Sequence, residues 1–183
     1  MSTRSTLIAK LANGQTKSIY CHWDGYPEHN GQILLDHYQD QTKIDELIAL
    51  GDLSILNEEI GEKHCFDSQP SRYIGNSTDI NPAYEAYQAK YGKMCLAYGR
   101  DRGETKTQAR IVRSLSAAIK KSAQMGAEFV YYWNGQSWEI TTPEGGVIHP
   151  LREFMKGGLS LVQTVKAFGG NFKLGKRIAT AVK

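Results

Sequence analysis

The chain has no apolar run long enough to serve as a membrane-spanning helix, so no membrane partner is expected. Its polar start, MSTRST, lacks the apolar stretch of a secretory signal. Cysteine is scarce: Cys21, Cys65 and Cys95 are an odd number with no CxxC spacing. That pattern argues for reduced thiols in a cytosol and against a disulfide scaffold. No internal repeat is visible. The glycine-rich phosphate loop, the nucleophile elbow and the metalloprotease helix motif are all missing. No familiar catalytic constellation is therefore written in the chain.

What remains is an ordinary globular composition, 40% hydrophobic and 22% charged, which excludes a disordered chain. A length of 183 residues suits one domain, with or without an extension. We divide it into an α+β domain over residues 1–150 and a basic helix and tail over residues 151–183. The division follows charge. From Leu151 onward seven Lys or Arg face only Glu153, a local charge of +6, whereas the first 150 residues carry −3. Lys173, Lys176 and Arg177 are the centre of that tail. It is read either as a phosphate-seeking appendage or as a solvated terminus.

The densest chemistry lies in Ser18 to Gly31, SIYCHWDGYPEHNG. Its first half is rich in β-branched and aromatic residues and reads as a strand. Alternation puts Tyr20, His22 and Asp24 on one face, and Ile19, Cys21 and Trp23 on the other. Gly25-Tyr26-Pro27 then ends the ladder. His22 beside Asp24 at the strand tip is an acid–base arrangement if the chain is an enzyme. The competing reading packs Tyr20 and Trp23 into the core. The site set from this stretch is Tyr20, His22, Trp23, Asp24 and Tyr26.

Elsewhere the pattern alternates strands with helices. Asn13-Gly14 turns a hairpin between Ser5 and Trp23. A strict two-residue turn would set Lys10 against Lys17, so a bulged turn is expected. A short helix over 32–39 follows, then one capped by Thr42, with Ile44, Leu47 and Ile48 inward and Gly51 at its end. Residues 57–80 read as a long surface loop. His64-Cys65 there and Cys21-His22 earlier raise a zinc site, but the spacing fits no known finger; no metal and no cofactor are expected. Asn81-Pro82 starts a helix carrying Tyr84, Tyr87 and Tyr91, which either stack on bases or cover a sheet. A strand over 93–99 runs into Arg100-Asp101-Arg102. There the two arginines either grip an oxyanion or pair with Asp101 and Glu104. Thr105 opens the longest predicted helix, to about Met125, with Lys106, Arg110, Arg113 and Lys120 as a basic stripe on one side. Asn134-Gly135 closes a second hairpin that sets Tyr131 against Trp138 and Trp133 against Gln136. The predicted fold is α+β, a mainly antiparallel sheet of two hairpins and a lone strand under that long helix.

The MSTRST opening, the run IYCHWDGYPEHNG and the later LIALGDLSIL resemble a family of small proteins of tailed-phage genomes and related bacterial mobile elements. The resemblance covers roughly the first third of the chain and brings no catalytic residues with it. It implies an accessory protein in the cytoplasm of an infected bacterium. Such a protein would bind and inhibit a host defence component, protein or nucleoprotein, or sequester its nucleotide messenger, without catalysis. The residues themselves keep two further classes open: a nucleic-acid binder using the basic stripe and tail, and an enzyme using His22 and Asp24. Self-association is also left open.

Overall fold

The computed structural model describes residues 2–144 and 146–157. Its first hairpin joins β1 (Ser5–Lys10) to β2 (Thr16–Cys21). Lys10 pairs with Thr16, and Lys17 with Ala9, so the two lysines never face each other. The connection is the expected bulged turn, closed by Leu11 N–H donating to the Gln15 carbonyl at 2.8 Å. Gly14 supplies its left-handed residue at φ +81°.

After β2 come a π-type turn (Pro27–Gly31), α1 (Gln32–His37), α2 (Gln41–Ala49) and β3 (Leu53–Ile55). The cap of α2 is Asp40 rather than Thr42, its side chain accepting from Lys43 N–H at 3.1 Å. Ile44, Leu47 and Ile48 are buried as predicted. Beyond the irregular segment 57–80 lie α3 (Pro82–Tyr91), β4 (Leu96–Ala97), α4 (Tyr98–Arg102) and β5 (Arg110–Ile111). The described chain ends with α5 (Leu115–Gln124), β6 (Phe129–Trp133), β7 (Trp138–Thr141), β8 (His149–Pro150) and α6 (Leu151–Met155).

The fold is α+β, and its eight-stranded sheet has the order β4-β3-β2-β1-β6-β7-β8, with β5 also paired to β2. It is mixed rather than mainly antiparallel, because β1 runs parallel to β6 and β2 parallel to β3. The reason lies in β1, the strand that joins the two halves. Leu7, Ile8 and Ala9 are all 0% exposed, a consecutive apolar run that needs cover on both faces. One face carries Leu7, Ala9, Ile19, Tyr131, Trp138 and Ile140 against α1, α2 and α6. The other carries Ile8 and Val130 beneath Ile119 of α5. Leu151 and Phe154 of α6, just past the boundary set after residue 150, pack into the first core. The rest of the expected basic helix and tail, residues 158–183, lies outside the described residues.

Two further expectations are corrected. The second hairpin slips by two residues: Trp133 pairs with Trp138 and Tyr131 with Ile140. Asn134 is the cause. Its side-chain oxygen accepts from Gln136 N–H at 2.9 Å and Ser137 N–H at 3.0 Å, building a four-residue turn. A slip of two preserves parity, so the aromatic face still points inward. The long helix from Thr105 does not form either. Ser114 caps α5 instead, accepting from Ala117 N–H, and Lys106 sits at φ +65°.

Asp52 holds residues 105–114 out of a helix. Its N–H donates to the Thr107 carbonyl at 2.7 Å, and its carboxylate takes Arg110 Nη1 and Tyr20 N–H, each at 2.8 Å. Gly51 (φ +76°) lies against the Thr107 backbone where a Cβ would not fit. Among the described residues no helix is long and apolar enough to cross a membrane. Asp52→Ala, leaving Arg110 and the Tyr20 N–H unpaired, should cost on the order of 2 kcal/mol in urea unfolding. A loss below about 0.5 kcal/mol, the range of an inert surface change, would remove Asp52 from this role.

Candidate functional site

Along β2 the alternation works as predicted as far as Cys21: Ile19 and Cys21 are fully buried, while Tyr20 and His22 stand half-exposed on the opposite face. The strand's pairing continues past its end, with His22 N–H on the Leu53 carbonyl and Trp23 N–H on the Ser54 carbonyl, both at 3.0 Å. Then the chain must leave the sheet. Asp24 adopts φ +53°, and Gly25 passes so close to β1 that a Cβ would lie 2.7 Å from Arg4 C and 2.8 Å from Ser5 Cβ. Only glycine fits there.

Asn30, 0% exposed, fastens the turn. Its Nδ2 lies 3.2 Å from Ser5 Oγ and 3.4 Å from both Cys21 Sγ and the Trp23 carbonyl. The Tyr131 hydroxyl, reaching across from β6, donates to the Gly25 carbonyl at 2.9 Å. Gly25 N–H donates in turn to the Thr3 carbonyl at 2.8 Å. The motif thus divides in two. Cys21, Gly25, Pro27 and Asn30 are buried and hold the backbone; Trp23 and Tyr26 are 43% and 36% exposed. Trp23 is therefore not a core residue, because the chain leaves the strand before its side chain can turn inward. Asn30 and Tyr131 had not been singled out as part of this site; a polar residue closing PEHNG after a sharp turn was the one available signal for Asn30.

His22 stands edge-on to Trp23, ring centroids 4.9 Å apart, and its Nδ1 lies 2.8 Å from the Tyr20 hydroxyl. Its expected partner, Asp24, takes a left-handed bend at φ +53° and its charge bears on Tyr26; among the described residues no hydrogen bond or ion pair joins it to His22. Burial, then the nearby Arg4 guanidinium, hold His22 below the usual histidine range. Burial pushes the Tyr20 hydroxyl up, and pushes the Cys21 thiol up to about 12. The result is a neutral imidazole with a phenol partner beside an inert thiol. It lacks the carboxylate orienter of an acid–base dyad.

The other sequence-selected residues fall elsewhere. Arg100 spends its donors internally, on Asp101 and on the carbonyls of Ile60, Gly61 and Cys95. Asp101 also accepts from Ala97 and His64 N–H. Arg102 pairs with Asp67 and Glu104, so the two arginines are clips in the fold rather than an open oxyanion grip. The basic stripe is broken up: Arg110 is bound to Asp52, Lys106 lies in the extended segment, and Arg113 precedes α5 while Lys120 is on it. Lys173, Lys176 and Arg177 lie outside the described residues. Helix α3 buries no residue; Tyr91 stacks on buried His64 at 5.0 Å and Tyr87 donates to the Cys65 carbonyl, so both engage the 57–80 segment. Among the described residues no group of three His, Cys, Asp or Glu could hold a metal.

Because folding lowers the affinity of His22 for its proton, the unfolded chain binds more protons just below about pH 6.5. The stabilising contribution is complete above that pH and is lost as pH falls through the folded value. Urea stability should therefore rise more steeply from pH 5 to 7 in the wild type than in His22→Gln. Equal slopes would contradict the burial argument. The chain matches no family model, no curated protein and no solved structure, so its function must be read from the site itself.

Proposed function

We propose that the chain is a non-enzymatic binding protein that engages a host protein through the aromatic turn, as a phage accessory factor acting in the bacterial cytoplasm. The observation that carries this reading is the division of labour within CHWDGYP. Exposing Trp23 and Tyr26 costs stability that inward packing would have gained, yet four buried residues are committed to fixing the backbone that displays them. Rigid aromatic side chains with polar tips are the usual anchors of protein interfaces, and pre-fixing them lowers the entropy lost on binding. His22, edge-on to Trp23, contributes to that patch as a neutral ring.

The inhibitory role and the phage setting rest on the resemblance of the first third of the chain. An enzyme built on His22 and Asp24 is disfavoured, since the His22 Nδ1 is partnered by the Tyr20 hydroxyl and no hydrogen bond joins it to Asp24 among the described residues. The nucleic-acid reading loses its helical stripe, because Arg110 is neutralised by Asp52.

The test is capture of a partner from bacterial lysate with the full chain as bait, followed by affinity measurement on the purified pair. Tyr26→Ala should weaken binding about 30-fold, the equivalent of about 2 kcal/mol, with unfolding unchanged. Trp23→Ala should do at least as much, and His22→Gln little. A folded His22→Gln protein that keeps its partner but loses all biological activity would overturn the binding reading in favour of catalysis.

A further inference from the structure

The aromatic turn sits in a stretch of chain without cations. Ser18 to Thr42 holds no Lys or Arg, although the chain has 22 of them, and it holds four carboxylates, Asp24, Glu28, Asp36 and Asp40. None of the four enters an ion pair among the described residues. Asp24 and Glu28 stand two residues to either side of Tyr26, and both charges bear on its hydroxyl, as no cation among the described residues does. Arg4 acts instead on Tyr20 and His22. The hydrogen bonds of Asn30 fix what else surrounds the ring. Its Nδ2 faces the Trp23 carbonyl, which can only accept, so Oδ1 is the atom 3.0 Å from His29 Nδ1. Oδ1 can only accept in its turn, so the neutral His29 donates through Nδ1 and its Nε2 keeps a lone pair. His29 lies against Tyr26, ring centroids 5.9 Å apart.

The polar groups around the exposed Tyr26 ring are therefore acceptors, two carboxylates and an imidazole nitrogen. The ring itself presents an electron-rich face to solvent, on a backbone already fixed by buried side chains. What complements such a surface is a cation that carries hydrogen-bond donors and lies flat on a ring. A guanidinium does all three; an ammonium brings the charge but neither stacks nor takes a carboxylate with two parallel donors. We propose that the aromatic turn receives an arginine side chain from a basic segment of its protein partner, stacked on Tyr26 and hydrogen-bonded to Asp24 or Glu28. The inference rests on the binding reading of this turn and adds to it the chemistry of the partner.

The experiment is a ¹H–¹⁵N NMR titration of the full chain, at constant ionic strength, with a short peptide of alternating arginine and glycine. The same peptide with lysine, and with citrulline as the neutral isostere of arginine, are the comparisons. Saturable shifts of the Gly25, Tyr26 and His29 amides are expected with the arginine peptide, about fivefold tighter than with lysine and absent with citrulline. Asp24→Asn/Glu28→Gln should weaken that binding about tenfold with Tm unchanged, since asparagine tolerates the left-handed backbone at position 24. Asp36→Asn removes a carboxylate of the same stretch and should change affinity by less than about twofold. No saturable shift at the turn, equal affinity for the lysine or citrulline peptide, a folded double variant that binds as before, or an equal loss with Asp36→Asn would overturn the proposal. Measured on the partner captured from lysate, the same variants separate the two claims. If Tyr26→Ala weakens capture and Asp24→Asn/Glu28→Gln does not, the turn binds but the arginine assignment is wrong; if neither does, the binding reading itself falls.

Discussion

A single buried amide holds together the turn that carries the exposed aromatics. Asn30 lies beyond the turn, yet its Nδ2 reaches β1 through Ser5, β2 through Cys21 and the turn itself through the Trp23 carbonyl. Two N–H bonds are shared among three acceptors, in a place water does not enter. Leaving such a group unpaired is expensive, so the turn and the end of the sheet open together or not at all. The Tyr131 hydroxyl adds a second fastening from β6, across the same core. The exposed aromatics inherit this rigidity from side chains that no partner would touch.

The two faces of the sheet serve different ends. The inner face is the larger core, closed by α1, α2 and α6, and its indole N–H groups are satisfied: Trp138 by the Tyr38 carbonyl at 2.7 Å and Trp133 by Gln41 Oε1 at 2.9 Å. The outer face is thinly covered. Helix α5 covers Ile8 and Val130 but leaves a cleft beside β2, lined by Ser18, Arg110 and Lys121 among others. Further along that same face stand Tyr20 and His22, at the foot of the aromatic turn. Asp52 keeps the gap open, because by holding Arg110 and Thr107 it makes β5 an edge strand where a longer helix would have lain.

The sequence was most legible where local chemistry decides structure. Asn81-Pro82 opened its helix as written, Asn13-Gly14 turned its hairpin with the bulge that the two lysines demand, and Ile44, Leu47 and Ile48 faced inward. It was least legible where a distant group intervenes. Nothing within residues 105–114 announces that Asp52 will hold them extended, and nothing in β1 names β6 as its parallel neighbour. The second hairpin failed for a subtler reason: Asn134 can either adopt a left-handed bend or accept from the amides two and three residues on, and here it does the latter. At the site, the cluster of chemically capable residues was visible from composition alone. Which of them face solvent was not, since alternation breaks where Asp24 turns left-handed. Arg100 and Arg102 read equally as a grip or as partners of Asp101 and Glu104; the pairing holds, and only their further partners Ile60, Gly61 and Asp67, in a loop with no regular pattern, were illegible.

The aromatic turn is a fixed part of the fold and not a mobile loop that happens to carry aromatics. Native-state amide hydrogen exchange tests it most directly, because the Trp23, Gly25 and Asn30 amides are bonded to Ser54, Thr3, Asp24 and Tyr26 carbonyls within the same network. Amides that exchange only by global unfolding share the stability of the core, whereas those of mobile loops exchange by local opening. The account predicts that these three amides exchange with the same free energy as Leu7 and Tyr131 in the sheet. Rapid exchange of the turn amides, with the sheet still protected, would contradict it.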